Sequence, residues 1–186
     1  MQSTRILLEG RPGAGKTTLA RRIVAGLRER DIPVTGFTTE ELRERGRRVG
    51  FAIETVEGQR GTLAHVDFAG PPRVGKYGVD LDELERLAIP ALQGSRDLVV
   101  IDELGKMELA SEPFRRTVDE LFASPADLVA TVHAFRHPFT DAVKARPDVE
   151  LLQVTSANRD DLARLLVRKL VPRPGGFADR GRRSPN

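Results

Sequence analysis

The sequence predicts a three-layer α/β protein, in which helices cover both faces of a mostly parallel sheet that carries an antiparallel hairpin insertion. At both ends of the chain, short apolar runs typical of strands alternate with segments of helical periodicity. This order favours a parallel sheet with helices on its two faces. Between about residues 36 and 68, several strand-like runs follow one another without a helix, as in antiparallel hairpins.

The first half of the chain supplies two candidate strands, a helix and the insertion. RILLEG (5–10) is predicted as a short strand ending in a glycine. TTLARRIVAGLRER (17–30) is predicted as an amphipathic helix, because its apolar residues recur every three or four positions. PVTGFTT (33–39) is the next strand candidate. Turn signals rich in glycine and arginine then separate two further strands, VGFAIETV (49–56) and TLAHVDF (62–68).

The second half returns to alternation of helix and strand. DLDELERLAIPAL (80–92) is predicted as a helix capped by Asp80 or Asp82 and disturbed at Pro90. The remaining predicted elements are the strand 97–102, the helix 112–122, the strands 127–133 and 149–155, and the helix 157–171. The last helix is expected to place four leucines on one face: Leu162, Leu165, Leu166 and Leu170.

Length and composition indicate one domain, at residues 1–171, followed by a tail at 172–186. A chain of 186 residues with 39% hydrophobic residues is long enough for one well-buried domain and short for two. Absence of cysteine excludes disulfides and thiolate chemistry. The sequence contains no apolar run long enough to span a membrane, and the N-terminus lacks the pattern of a signal peptide. We therefore expect a cytoplasmic protein without a membrane partner.

The basic character of the chain belongs to its tail. The formal net charge of +3 equals the excess of four arginines over one aspartate within residues 172–186, so the rest of the chain is formally neutral. A tail rich in proline, glycine and arginine is predicted to be disordered. Contact with nucleic acid is possible through this tail, but the neutral domain does not indicate it.

GRPGAGKT (10–17) matches the phosphate-binding pattern G-x-x-x-x-G-K-[ST], with a predicted strand before it and a helix after it. In such a loop the backbone amides and the helix N-terminus face phosphate oxygens, the lysine reaches the β- and γ-phosphates, and the hydroxyl binds Mg²⁺. The pattern thus predicts a P-loop. Its candidate nucleotide-binding residues are Gly10, Arg11, Pro12, Gly13, Ala14, Gly15, Lys16, Thr17 and Thr18.

Two acids follow the buried strand LVVI (98–101). An acid at the end of a neighbouring strand completes the Mg²⁺ site of a P-loop protein, and Asp102 is the candidate, together with Thr17. Glu103 comes directly after it, where one division of P-loop ATPases places the glutamate that polarises the attacking water. We therefore predict that Asp102 serves the metal and Glu103 the water.

Two alternatives share the same nucleotide site. A P-loop phosphotransferase acting on a nucleoside, a nucleic-acid end or a small metabolite would use the space beside Glu103 for its acceptor. A GTP-dependent switch would account for D-E-L-G (102–105), which fits the D-x-x-G element of GTPases, and for N-R-D-D (158–161), which loosely imitates their guanine-reading motif. Against the switch, Asn158 lies at a helix start and is expected to cap that helix.

Four blocks of this sequence resemble a known family: IDELGKMEL (101–109), GFTTEELRERGRRVGFAIET (36–55), VGKYGVDL (74–81) and QVTSANRDDL (153–162). They are similar to the small broad-specificity nucleoside-triphosphatases that occur from thermophilic bacteria to humans. The resemblance implies a RecA-like fold and slow, Mg²⁺-dependent hydrolysis of ATP, GTP and other nucleoside triphosphates such as CTP and UTP. We also expect a monomer. The tail has no counterpart in the resemblance.

Weaker candidates surround this site. Lys106, inside the first block, could neutralise charge on the transferring phosphate or pair with Glu103 or Glu108. Asn158 and Arg159 could border the nucleotide base. By analogy with similar folds alone, a polar residue at the end of the strand 127–133, Thr131 or His133, could sense the γ-phosphate.

Overall fold

The computed structural model describes residues 3–93 and 98–171, which form one mixed sheet with helices on both faces. The strands are β1 (Arg5–Gly10), β2 (Thr35–Glu44), β3 (Arg47–Thr55), β4 (Arg60–His65), β5 (Arg73–Val74), β6 (Tyr77–Val79), β7 (Leu98–Leu104), β8 (Asp127–His133) and β9 (Glu150–Gln153). The helices are α1 (Lys16–Arg28), α2 (Leu81–Gln93), α3 (Glu112–Ala123), α4 (Pro138–Lys144) and α5 (Arg159–Leu170), with a 3₁₀ turn at Glu108–Ala110.

The parallel half of the sheet brings the functional strand ends together. The strand order is β5-β6-β4-β3-β2-β7-β8-β1-β9, and β2, β7, β8, β1 and β9 run parallel to one another. Strand β8 lies between β1, which leads into the glycine-rich loop, and β7, which carries the two acids. Gly10 pairs with His133, and Leu104 pairs with Val132. The carboxyl ends of these three strands therefore meet at one edge of the sheet.

The antiparallel half extends further than the sequence predicted. Strand β2 pairs in parallel with β7 through residues 35–37 and antiparallel with β3 through residues 37–44. Strands β3 and β4 continue the insertion as expected. The short strands β5 and β6 add to it, so the antiparallel part reaches Val79 rather than ending near residue 68. Strands of two and three residues are too short to show periodicity in the sequence.

Two apolar layers hold the helices against the sheet. Along each strand of the parallel half, successive side chains point to opposite faces, so Leu7 belongs to one core while Ile6 and Leu8 belong to the other. Helices α2 and α3 cover the first face with residues such as Leu84 and Phe114. Helices α1 and α5 cover the second face. The predicted three-layer α/β architecture is confirmed.

Three details differ from the sequence prediction. Helix α2 is not interrupted at Pro90 but continues to Gln93. Pro90 lies on the exposed side of the helix, where water can reach the carbonyl that proline leaves without a partner. Leu165 is 50% exposed, although Leu166 and Leu170 are buried as expected. Helix α4 was not anticipated, because its seven residues are too few for a clear period.

Two further expectations concern the chain as a whole. No helix within the described residues is long and apolar enough to cross a membrane. The predicted disordered tail at 172–186 lies outside the described residues.

Candidate active site

The glycine-rich loop connects β1 to α1 and ends at Gly15, the residue before the helix. Gly15 has a φ of 92°, a backbone conformation that favours glycine, and a Cβ there would lie 2.7 Å from Cδ of Arg159. Among the described residues, no side chain caps α1 and no acid lies in its first turn. The free amides and positive end of the helix dipole can therefore receive an anion.

Lys16 is almost fully buried at the start of α1. Its Nζ donates a hydrogen bond to the carbonyl of Gly10 at 3.1 Å and lies 3.4 Å from Oε2 of Glu103. The lysine thus joins the loop to the acidic end of β7, as the sequence predicted for a phosphate-binding lysine and its neighbouring glutamate. In Glu103, burial raises the carboxyl pKa, Lys16 opposes this effect, and Asp102 adds to it.

Asp102 is completely buried and is oriented by two threonines from neighbouring strands. Thr131 on β8 donates its hydroxyl proton to Oδ1 at 2.7 Å, and Thr39 on β2 donates from its hydroxyl to Oδ2 at 3.3 Å. Thr131 and His133 were the two candidates for a γ-phosphate sensor at the end of β8. The hydroxyl of Thr131 is already hydrogen-bonded to Asp102. Thr39 was missed from the sequence, since only the pairing of β2 with β7 brings it to the acid.

The sequence predicts that Thr17 and Asp102 hold Mg²⁺, and the oxygen atoms present at the site bear on that prediction. In the described part of the chain, no group of three or more histidines, cysteines or acids could hold a metal through protein ligands alone. A P-loop site does not need one, because Mg²⁺ usually binds one or two protein oxygens and takes its other ligands from phosphates and water. The Asp102 carboxylate and the Thr17 hydroxyl, on the packed elements β7 and α1, fit that requirement.

Glu108 is the acid that the sequence analysis considered only as a partner for Lys106. Its side chain is buried, and its Oε2 accepts a hydrogen bond from the amide of Gly105 at 3.1 Å. Burial, followed by the nearby charge of Glu103, raises the pKa of Glu108 to about 8. The group is therefore a neutral carboxylic acid near pH 7, beside a residue predicted to act as a base.

A cleft of about 270 Å³ opens between the loop and the antiparallel half of the sheet. Its polar wall includes Lys16, Glu103, Lys106 and His133, and its apolar wall includes Phe51. The other lining residues are Pro12, Thr39, Leu63, Val74, Gly105, Met107, Glu108 and Phe135. The three predicted catalytic residues thus line one cavity.

Lys106 has a different partner from those proposed. Its Nζ lies 5.8 Å from the centroid of the Phe135 ring, in a cation–π arrangement. Within the described residues it makes no ion pair with Glu103 or Glu108. Lys106 lines the cleft, and its role at the transferring phosphate stays a prediction.

Asn158 and Arg159, the two residues predicted near the nucleotide base, differ in whether their side chains are free to contact a nucleotide. The side chain of Asn158 accepts from the amide of Thr155 at 2.8 Å and donates to the carbonyl of Gln153 at 2.9 Å. Asn158 is the N-cap residue of α5, as expected, but its side chain makes no capping hydrogen bond and instead closes the turn before the helix. Arg159 instead lies across Gly15, beside the phosphate-binding loop.

The chain matches the model of a protein family described as NTPase over residues 5–167. A nucleoside-triphosphatase THEP1 of Thermotoga petrophila is 40% identical, covering 95% of this chain and 98% of that protein. The cancer-related nucleoside-triphosphatase of Homo sapiens is 38% identical, covering 84% of this chain and 91% of its own. The crystal structure of THEP1 from Aquifex aeolicus superposes with a TM-score of 0.82 at 36% identity, over 91% of this chain and all of that one.

This chain belongs to the NTPase family.

Membership in the NTPase family confirms the resemblance that the four sequence blocks indicated, and with it the P-loop α/β fold. The family match spans the loop, both acids of β7, His133 and Arg159. The site residues that sequence reasoning underestimated, Thr39 and Glu108, also lie within the blocks that carried the resemblance. Their presence in those blocks was the feature of the sequence that could have identified them as site residues.

Proposed function

We propose that the protein is a Mg²⁺-dependent nucleoside-triphosphatase that hydrolyses ATP, GTP, CTP and UTP to the diphosphate and phosphate. Its relatives are named nucleoside-triphosphatases. The observation that carries the proposal is the placement of Glu103 3.4 Å from Lys16, at the end of the strand that also holds Asp102. A base is thereby fixed beside the group that would bind the γ-phosphate.

Binding would rest on the loop and the start of α1. The backbone N–H groups of the loop 10–17, which Pro12 lacks, and the Lys16 ammonium would receive the triphosphate, and Thr18 would lie on the α-phosphate side. Thr17 and Asp102 would hold Mg²⁺, which neutralises phosphate charge when bound. Arg159 would border the nucleotide beside Gly15, and Asn158 would support that contact by fixing the turn before α5.

The chemical step would be an in-line attack by water. The water oxygen bonds to the γ-phosphorus while Glu103 accepts a proton from that water. At the same time the bond between the γ-phosphorus and the oxygen that bridges the β- and γ-phosphates breaks, and the nucleoside diphosphate leaves. The raised pKa of the Glu103 carboxyl makes it a stronger base than an exposed glutamate. Lys16 stabilises the phosphoryl oxygens, while Lys106 faces the same cleft with its charge available.

The decisive experiment measures phosphate release from ATP, GTP, CTP and UTP, with Mg²⁺ or with EDTA, and without any acceptor. We expect release from all four, dependent on Mg²⁺. Glu103→Gln should lower the rate by at least about 100-fold while nucleotide binding persists, because it removes the base but not the loop. Lys16→Ala should lose both binding and release, and exposed Leu165→Ala serves as the control.

The two alternatives give different results in the same assay. A phosphotransferase would release little phosphate until a hydroxyl acceptor is added, and that outcome would refute hydrolysis as the main activity. A GTP switch would show strong preference for GTP that Asp161→Ala abolishes. The structure engages the side-chain amide of Asn158 in its own turn, which supports the hydrolase over the switch.

A further inference from the structure

His133 lies at the end of β8 with its imidazole buried and without hydrogen-bond partners. Its exposure is 6%, and within the described residues neither Nδ1 nor Nε2 has a partner. Buried polar side chains are nearly always hydrogen-bonded, so an imidazole in which both nitrogens lack partners requires an explanation. The neighbouring Thr131, by contrast, is satisfied by Asp102.

The His133 side chain lies at the wall of the cleft. In the sheet, His133 pairs with Gly10, and the carbonyl of Gly10 accepts a hydrogen bond from Lys16. The backbone carbonyl of His133 accepts a hydrogen bond from Lys144 at 3.0 Å. The backbone is therefore fixed on both sides, while the ring lines the cleft together with Lys16 and Glu103. The centroid of the Phe135 ring, a side chain that is itself exposed, lies 5.6 Å from that of the imidazole.

Burial and the positive charges around the imidazole disfavour its protonated form. Burial, then Lys16, Lys144 and Lys106, and finally His137, lower the pKa of His133. Lys144 is itself paired with Glu9, and two acids share the cleft, Glu103 and the buried Glu108. A neutral imidazole carries one N–H donor and one acceptor nitrogen, so it can donate to a phosphate oxygen without adding another positive charge.

We propose that His133 is a further catalytic residue, whose ring N–H donates a hydrogen bond to an oxygen of the γ-phosphoryl group during transfer. This assignment rests on the proposed hydrolysis, because it requires Lys16 to bind the γ-phosphate in the cleft that His133 also lines. A fixed donor in a water-poor site stabilises the transferring group more than a water molecule would, since it needs no reorientation during the reaction. The absence of a partner in the free protein is then expected, because the substrate supplies it.

Kinetics of three variants test the role. His133→Phe keeps a planar ring without a donor, and His133→Ala removes the ring. Both should lower kcat by about 10- to 100-fold, whereas His133→Asn, which retains an N–H donor, should lose less. His65→Ala removes a histidine on β4 outside the cleft and should leave kcat unchanged. Thermal unfolding of each variant identifies any that fail to fold, and kcat is compared among the variants that do fold.

Nuclear magnetic resonance gives a readout that does not depend on turnover. The chain has three histidines, so a proton–carbon correlation of the imidazole Cε1 groups should show three signals, assignable with the single variants. Addition of Mg²⁺, ADP and aluminium fluoride, which mimics the transferring phosphoryl group, should shift the His133 signal more than Mg²⁺ and ADP alone. The His65 signal should not move.

The outcomes separate this inference from the proposed function. Normal kcat in His133→Phe and His133→Ala, together with an unmoved His133 signal in protein saturated with the mimic, would overturn the inference alone. A wild-type protein that releases no phosphate would overturn the proposed function and this inference with it. Loss of kcat in His133→Phe with partial recovery in His133→Asn, and a shifted signal, would support it.

Discussion

Three acidic side chains near the end of β7 lie in different environments, and the differences suggest separate roles. Asp102 is fully buried but accepts hydrogen bonds from two threonine hydroxyls. Glu103 is partly exposed and lies beside Lys16. Glu108 is buried, and its carboxyl group accepts a hydrogen bond from the amide of Gly105. Burial, followed by the nearby charge of Glu103, therefore raises the pKa of Glu108 and favours its neutral form.

Glu108 should therefore destabilise the protein at alkaline pH. Its pKa is about 8 in the folded protein and 4.5 in an exposed glutamate, so between these values the folded state binds the additional proton. Stability then falls as pH rises from 4.5 and the loss is complete above about 8. Glu108→Gln keeps the acceptor for Gly105 and removes the titration, so the variant should gain stability relative to wild type across this range.

Urea unfolding of wild type and Glu108→Gln at pH 5, 7 and 9 measures this effect. We expect the difference in unfolding free energy to grow with pH and to reach a few kcal/mol at the highest value. Glu57→Gln, an exposed change elsewhere in the chain, is the matched control. A difference that stays constant with pH would contradict the assignment of a neutral Glu108.

Strand β2 connects the two halves of the sheet, and its close approach to β7 positions the catalytic end. Gly36 pairs with Val100, has a φ of 111°, and accepts from the amide of Val56 at 2.8 Å. A Cβ at this position would lie 1.9 Å from the carbonyl oxygen of Val100, a backbone atom that cannot move without displacing β7. The glycine is thus required by both conformation and space.

Gly36→Ala should separate β2 from β7 and lower the free energy of unfolding by at least about 3 kcal/mol, which combines left-handed strain with overpacking. Gly46→Ala, at the tip of the β2–β3 hairpin, has a φ of 79° and no atom within 4 Å of the added Cβ. It should cost only the strain, about 1 kcal/mol. Chemical unfolding of both variants checks the prediction, and equal losses would contradict it. If Gly36→Ala folds, phosphate release should also fall.

The molecule as a whole combines a neutral domain with a basic C-terminal segment. Residues 3–93 and 98–171 form one sheet with a core on each face, and α5 ends at Leu170. All residues assigned to the site lie before that point. We propose that residues 1–171 are a complete catalytic domain and that residues 172–186 contribute only charge.

Deletion of residues 172–186 should leave phosphate release and the thermal midpoint unchanged, because no proposed contact of the site is lost. It should also weaken retention on immobilised heparin at low salt, since the formal net charge falls from +3 to zero. Replacement of the four tail arginines by serine at full length should reproduce the loss of retention. A truncated protein that melts earlier or loses activity would show that the segment belongs to the domain.

The sequence by itself determined the features that depend on local patterns. The P-loop spacing, the adjacent acids Asp102 and Glu103, and the alternation of strand and helix are properties of neighbouring residues, and the structure places each as predicted. The family blocks identified the relatives, because their order and spacing are also readable along the chain. Even the boundary between parallel and antiparallel parts was approximately located by its turn signals.

Only the tertiary structure decided features that depend on residues far apart in sequence. The burial of Glu108, the threonines on Asp102, the position of Arg159 across Gly15 and the unsatisfied imidazole of His133 each arise where separate elements meet. The short strand β6 pairs with the edge of β4, and β5 in turn pairs with β6. Leu165 is exposed because the apolar stripe of α5 is wider than the surface it covers. A residue's type limits what it can do, but its surroundings decide which protonation state and which partner it has.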